Sequence, residues 1–167
     1  MKFSEVAWRG MTAFDLSEVV RIAGTVHPGY FEAPDILAER HALYRNGTFI
    51  LEIGTRIAGY VLSHPWRFAV VPALNNPLGA IPKDADTYYV HDIAVLPMAR
   101  RVGAASEIVG GLIKHAEAGG FATASLVAVN HSQGFWERHG FEVRTPAGTS
   151  DKLLSYGADA RFMARDL

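Results

Sequence analysis

Tyr89-Val90-His91-Asp92-Ile93-Ala94-Val95-Leu96-Pro97-Met98-Ala99-Arg100-Arg101-Val102-Gly103-Ala104-Ala105 is the stretch around which the rest of the chain organises. Its β-branched and aromatic residues from Tyr88 to Val95 predict a strand that Pro97 closes. Beyond the turn, Ile108, Val109, Leu112, Ile113 and Ala116 recur at helical spacing, which predicts a helix over Gly103–Gly119 with those five side chains inward. Gly110-Gly111 interrupts that pattern, at a cost of roughly 1 kcal/mol each against Ala. A strand therefore runs into a short basic turn and then a helix that opens on small residues. Such a junction is an anion cradle: unpaired N–H groups point out of the helix start, and small residues let a phosphate approach. Arg100 and Arg101 add charge that can fork onto phosphate oxygens. Each dipole contact is worth only about 0.3–1 kcal/mol at a surface, so several must act together. A plain connection with two solvated arginines is the alternative.

On the N-terminal side, Phe3–Arg9 predicts an opening strand. Thr12 or Asp15 starts a helix carrying Leu16, Val19, Val20, Ile22 and Ala23 to near Gly24. A second helix begins near Pro34 and carries Ile36, Leu37, Arg40, Leu43 and Tyr44 down to Asn46-Gly47. Thr48–Ile53 and Arg56–Leu62 form a hairpin about Gly54-Thr55. Pro65, Pro72, Pro77 and Pro82 argue against a regular central strand over Pro65–Asp86. The apolar residues Trp66, Phe68, Val70, Val71 and Leu74 make that stretch an ordered cap. On the C-terminal side follow a strand at Ala124–Val129, a short helix at His131–His139, a strand at Phe141–Arg144 and one more at Ala160–Ala164. The expectation is an α+β fold: a mixed, mostly antiparallel sheet of about six to seven strands flanked by about four helices.

The 167 residues fit one domain over 1–167, and 49% hydrophobic with 20% charged is an ordinary globular balance. A net charge of −1 removes the electrostatic reason to expect a nucleic-acid or membrane-surface partner. The absence of Cys excludes a disulfide framework, a thiolate zinc site and a cysteine nucleophile, and no metal is expected. Glu5 and Arg9 interrupt any leader-like apolar run near the start, so a soluble, cytoplasmic protein is the expectation. No Gly-x-x-x-x-Gly-Lys-Ser/Thr, Gly-x-Gly-x-x-Gly, His-Glu-x-x-His or Gly-x-Ser-x-Gly occurs.

Asp92-Ile93-Ala94-Val95-Leu96-Pro97 followed by Arg100-Arg101-Val102-Gly103-Ala104-Ala105 resembles the acetyl-CoA motif of the GNAT superfamily of N-acetyltransferases, Gln/Arg-x-x-Gly-x-Gly/Ala. Asn130 and then Phe135-Trp136-Glu137-Arg138-His139-Gly140-Phe141 resemble a second hallmark of that family, aromatic-Glu-Lys-x-Gly-Phe. The element order agrees, and the likeness covers nearly the whole chain. The resemblance implies transfer of an acetyl group from acetyl-CoA, as co-substrate, to a primary amine of a small molecule or peptide, with room for a homodimer. It implies that backbone groups of Ile93, Ala94 and Val95 pair with the pantetheine arm. It also implies that Arg100 and the amides of Arg101, Val102, Gly103, Ala104, Ala105 and Ser106 hold the pyrophosphate. Asn130 would touch the pantetheine amides, and Phe135 and Trp136 would pack the arm. A strand-end turn residue is the alternative for Asn130, and for Ile93 and Val95 a place in the core is compatible, since only their backbone is required.

A protonated amine cannot attack a thioester, and removing its proton at pH 7 costs roughly 4–5 kcal/mol for a pKa near 10.4. His91 is the leading base, on the face it shares with Tyr89 and Ile93; a hydrogen-bonded structural histidine is the rival reading. Asp92 falls on the opposite face by alternation, unless a bulge near Ala94, common in the family, intervenes. Tyr89 is a second candidate or a substrate wall. Trp136 stands where many relatives carry a tyrosine acid, and an indole gives up no proton near neutral pH, so Ser132 or water is left to serve the thiolate. His27, Tyr30, Phe31 and Trp66 form a partly aromatic acceptor set, each with surface packing as its alternative. Two other classes fit less of the pattern: a non-catalytic acyl-CoA-binding sensor, and an unrelated α+β nucleotide-binding domain.

Overall fold

The computed structural model describes residues 5–167, and among them seven strands form one sheet. These are β1 (Val6–Gly10), β2 (Thr48–Ile53), β3 (Arg56–Trp66), β4 (Thr87–Val95), β5 (Thr123–Ala128), β6 (Glu142–Val143) and β7 (Arg161–Asp166). Their order is β1-β2-β3-β4-β5-β7-β6, with β4 and β5 parallel and every other pair antiparallel. The expected mixed, mostly antiparallel sheet is what the chain forms. Helices α1 (Leu16–Val26) and α2 (Pro34–Leu43) cover one face, where Val19, Ile22 and Leu37 meet Ile50, Tyr60, Leu62 and Ala94. Helix α3 (Ala104–Ala118) covers the other, packing Ile108, Val109, Leu112, Ile113 and Ala116 against Val61, Tyr88, Val90 and Leu126. Two short helices, α4 (Gln133–Glu137) and α5 (Thr149–Leu153), lie in the C-terminal third.

Several boundaries move for identifiable reasons. Phe3 and Ser4 of the expected first strand lie outside the described residues. Helix α3 passes Gly110-Gly111 unbroken, since both lie on its exposed side while all five expected apolar side chains are buried. Burial at roughly 1.5–3 kcal/mol per large apolar side chain outweighs the two glycines. Strand β3 continues through Pro65 to Trp66, against the expectation of a break there. Strand β2 pairs with β3 only up to Leu62, so Pro65 sits where β3 has β4 alone as a neighbour and a missing N–H is tolerated. After it, 67–86 forms the ordered cap: Val71 is buried beside Tyr156 and Phe162, and Glu39 accepts hydrogen bonds from the amides of Leu78 and Gly79. Strand β6 is only two residues long, because Phe141 turns into the core instead of extending it.

One irregularity in the sheet matters for chemistry. Leu62 pairs with Asp92 but the next residue, Ser63, pairs with Val90, which leaves His91 as an extra residue on β4. A bulge of this kind resets the alternation by one position. The expected separation of His91 and Asp92 is therefore corrected: Tyr89, His91 and Asp92 all face α1 and α2, and Ile93 turns toward α3. The shift lies at His91 rather than near Ala94.

The start of α1 carries a polar lock. Asp15, 6% exposed, accepts two hydrogen bonds from Arg9 at 2.8 and 2.9 Å and one from the Thr12 amide at 2.8 Å. The hydrogen bond from Arg9 is the main reason its carboxyl is held at about 2. A depressed carboxylate contributes stability that is present above its unfolded value near 3.9 and lost as pH falls through 2. Asp15→Asn is expected to flatten the loss of unfolding free energy between pH 4 and 2 in urea titrations, an effect of about 2 kcal/mol.

Candidate functional site

Strands β4 and β5 pair only from Thr87↔Thr123 to Val90↔Leu126 and then part. The bulge at His91 turns β4 away where pairing stops. Between the separated ends lies a cleft of about 420 Å³, bounded by Ile93 and Val95 on one bank and Val127, Val129 and Asn130 on the other. A Cβ placed on Gly59 would lie 2.7 Å from the Ala94 carbonyl, and the Leu96 amide donates to Ala58, so both peptide groups face β3. By strand alternation, the peptide groups of Ile93 and Val95 face the cleft. They form a strand edge with no partner strand inside the protein, the feature an extended, amide-bearing ligand pairs with. The Val95 carbonyl accepts from Arg100 Nε at 3.2 Å.

At the mouth of the cleft, Pro97–Val102 winds a tight 3-10 turn and Gly103 enters the left-handed region at φ 76° before α3 begins. The first helical bond runs from the Glu107 amide to the Gly103 carbonyl, 3.1 Å. The amides of Gly103, Ala104, Ala105 and Ser106 precede that bond and so find no partner within α3. No side chain plugs the bend: a Cβ at Gly103 would meet nothing within 4 Å, and Arg100, Arg101, Val102 and Ser106 are exposed. From β1, Trp8 Nε1 donates to the Ala104 carbonyl at 2.9 Å and fixes the helix start against the sheet. Free amides, a positive helix end, open space and two arginines together suit a diphosphate.

The inner end of the cleft holds two histidine–carboxylate pairs. His27, at the end of α1, places Nε2 2.7 Å from Asp92 Oδ1, and the Tyr60 hydroxyl donates to Asp92 Oδ2. His91 places Nε2 2.6 Å from Glu32 Oε1, and the other Glu32 oxygen accepts from the Asn75 amide of the cap at 3.2 Å. Burial pushes the Asp92 carboxyl up, but the charge and hydrogen bond of His27 outweigh it and hold Asp92 below its ordinary value. Glu32 is lowered in the same way, His91 outweighing burial. Burial lowers His27, yet the opposing charge of Asp92 leaves it raised overall. His64, behind this cluster, donates from Nδ1 to the Pro65 carbonyl and is driven by burial to about 3, so it is neutral. A second, smaller pocket of about 40 Å³ continues from the cleft past His27, Glu32 and His91 to Tyr30, Tyr89, Tyr156 and Leu74.

Of the residues singled out in the sequence, Ile93, Val95, Arg100, Ala105, Asn130, Ser132, Phe135, Trp136, His91 and His27 line the main cleft. Tyr30 and Tyr89 line the side pocket. Ala94 is fully buried against α1 and its carbonyl faces β3, so it is not part of the open β4 edge. Trp136 packs on Phe141 in the core and shows one flank to the cleft. Two acceptor candidates lie elsewhere. Phe31 is 68% exposed and lines neither cavity, and Trp66 packs on His64 with its indole N–H donated to Val70. The sequence reading missed Asp92, Glu32 and Tyr60. A bulge hides the first, and 59 residues separate Glu32 from His91. Among the described residues no group of three or more His, Asp or Glu side chains is arranged to hold a metal ion, and no helix is long and apolar enough to cross a membrane.

The family model described as Acetyltransferase (GNAT) family matches residues 16–141. No curated protein sequence matches the chain. Among solved structures, the chain is similar to the loading GNATL domain of CurA from Lyngbya majuscula, with TM-score 0.79, 12% identity and 97% and 98% of the two chains covered. It is similar to the ribosomal-protein-S18-alanine N-acetyltransferase of Escherichia coli, with TM-score 0.68, 19% identity and 97% and 94% covered. It is also similar to Arabidopsis thaliana Naa50 in complex with the bisubstrate analogue CoA-Ac-MVNAL, with TM-score 0.70, 13% identity and 97% and 99% covered.

Proposed function

Because the chain belongs to the GNAT family of acetyltransferases, we propose that it is a single-domain enzyme that transfers acetyl from acetyl-CoA to a primary amine by direct attack. The observation that carries the reading is the alignment of the free amides at Gly103–Ser106 with the open β4 edge at Ile93–Val95. One seats a diphosphate, and the other pairs with the two amides of a pantetheine arm. Binding along both would lay the thioester beside the histidine–carboxylate pairs. There the amine nitrogen forms a bond to the acetyl carbon, the C–S bond breaks with its electrons on sulfur, and the proton lost by nitrogen must be received.

Within this reading Arg100 and Arg101 attend the diphosphate, Asn130 and Phe135 line the arm, and Ser132 on the far bank offers its hydroxyl to the leaving sulfur. Trp136 is wall. Tyr89 is buried, which pushes its hydroxyl well above the usual value, and it serves as a wall of the side pocket. With Tyr30, Tyr156 and Leu74 beside it, that pocket suits an acceptor with a small apolar portion next to its amine.

Two measurements test the proposal. Calorimetric titration is expected to show binding of acetyl-CoA and CoA but not ATP; binding of ATP alone would favour a nucleotide-binding domain. Thiol release from acetyl-CoA should then depend on an added primary amine from a panel of amino-acid amides, short peptides and arylalkylamines. Tight acyl-CoA binding with indifference to every amine would favour the non-catalytic sensor.

A further inference from the structure

We propose that His27 is the base that receives the proton of the acceptor nitrogen, held by Asp92 and uncovered when Asn130 turns from it to the pantetheine arm. The proposal rests on the acyl-transfer reading above. A carboxylate only accepts, so Nε2 of His27 carries the proton directed at Asp92, and in the neutral ring Nδ1 carries the lone pair. Tyr60 in turn fixes Asp92 from β3. This is the base-and-orienter arrangement of a catalytic triad, with the base nitrogen turned toward the ligand space.

His27 is the more open of the two paired imidazoles to an incoming amine. Both rings line the main cleft and the side pocket, and the His27 side chain is 14% exposed. His91 gives Nε2 to Glu32 in the same way, but its side chain is 2% exposed and its Nδ1 is buried without a partner. His91 therefore acts as a positioning residue for Glu32. In the ligand-free arrangement the lone pair of His27 is occupied, since Asn130 Nδ2 donates to Nδ1 at 2.9 Å. Asn130 and His131 are consecutive non-glycine residues in the left-handed region, at φ 54° and 57°, where β5 ends. That backbone holds the Asn130 amide between His27 and the cleft, so a cofactor arm in the cleft competes with His27 for it. Acetyl-CoA then binds first, and the amine second.

In the transfer step the amine nitrogen bonds to the acetyl carbon and passes one proton to Nδ1. The thiolate leaves with the C–S electron pair toward the Ser132 hydroxyl and takes its proton from water, and the imidazolium returns its own to solvent. The groups that face His27 are Asp92 and His91 from β4, Tyr60 from β3, and Glu32 and Tyr30 from the segment between α1 and α2. Burial opposes its charged form, but Asp92 outweighs burial and raises it above 6.5. A base must be neutral, so turnover should rise with pH through a value above 6.5.

The test is amine-dependent thiol release over pH 5.5–9 by the wild type, His27→Ala, His27→Gln, His91→Gln and Asp92→Asn, with acetyl-CoA affinity measured for each. Wild-type turnover is read first; its absence overturns the acyl-transfer reading itself. Given turnover, both His27 variants should lose about 100-fold or more in kcat, with acetyl-CoA Kd little changed, and added imidazole should restore part of the loss in His27→Ala. Asp92→Asn should move the rising limb to lower pH, and His91→Gln should keep it. Turnover within about threefold of wild type in His27→Ala, or a rising limb lost in His91→Gln and kept in His27→Ala, overturns the assignment of His27 alone.

Discussion

Ala105→Glu is expected to weaken acetyl-CoA binding by about 100-fold or more, equivalent to about 2.7 kcal/mol, while leaving the protein as stable as before. Ala105 stands in the first turn of α3 and lines the cleft. A carboxylate there meets the diphosphate at the point where the amides of Ala104–Ser106 open α3 without a partner inside the helix. It competes for those amides and repels the phosphates. The same charge suits a helix N-terminus, by about 0.3–1 kcal/mol, so thermal unfolding should stay level or move up. That pairing of outcomes isolates ligand loss from misfolding. Gly103→Glu carries the same charge but forces a non-glycine residue to φ 76°, which mixes strain with repulsion. Calorimetry with CoA and a thermal melt check both halves, and unchanged affinity in Ala105→Glu would remove the helix start from the binding site.

Gly47→Ala should damage the fold and the site together. Gly47 is buried between α2 and β2, where a Cβ would lie 2.2 Å from the Ser63 carbonyl and 2.7 Å from the Tyr88 hydroxyl. Neither neighbour can yield easily. Ser63 Oγ donates to the Gly47 carbonyl at 2.7 Å and lies 2.7 Å from the Tyr88 hydroxyl, and Ser63 and Tyr88 are fully buried. Ser63 is also the residue of β3 beside the bulge that sets the facing of His91 and Asp92. Relieving the clash must move that bulge. Overpacking of this kind is expected to cost about 3 kcal/mol, which corresponds to a fall of about 6–12 °C in Tm, with turnover lost beyond the stability effect. A Tm within about 2 °C of wild type would mean that the Gly47–Ser63 contact is softer than its distances indicate.

What the residues disclosed on their own was the periodic part of the structure. Helix α3 could be placed because five apolar side chains recur at its spacing, and the same pattern survives two glycines in the folded protein. Strand β4 and the turn after it could be placed because aromatic and β-branched residues end at a proline and a basic, small-residue segment. The features that escaped are those that depend on a partner far along the chain. Alternation assigned Asp92 to the wrong face because the extra residue at His91 is visible only against β3. Glu32 could not be joined to His91 without knowing that the α1–α2 segment folds over β4. Pro65 argued against a strand, and it is acceptable there only because β2 starts at Thr48, opposite Leu62. Phe31 and Trp66 were aromatic residues in the right segments, but nothing local distinguishes a ring that lines a cavity from one that faces solvent or a neighbouring imidazole.

The most direct measurement is a crystal structure of the protein grown with acetyl-CoA. It should show diphosphate oxygens within hydrogen-bond distance of the Gly103–Ser106 amides and the pantetheine chain paired along Ile93 and Val95. Diphosphate bound elsewhere, or β4 and β5 closed onto each other with the ligand outside them, would contradict the account.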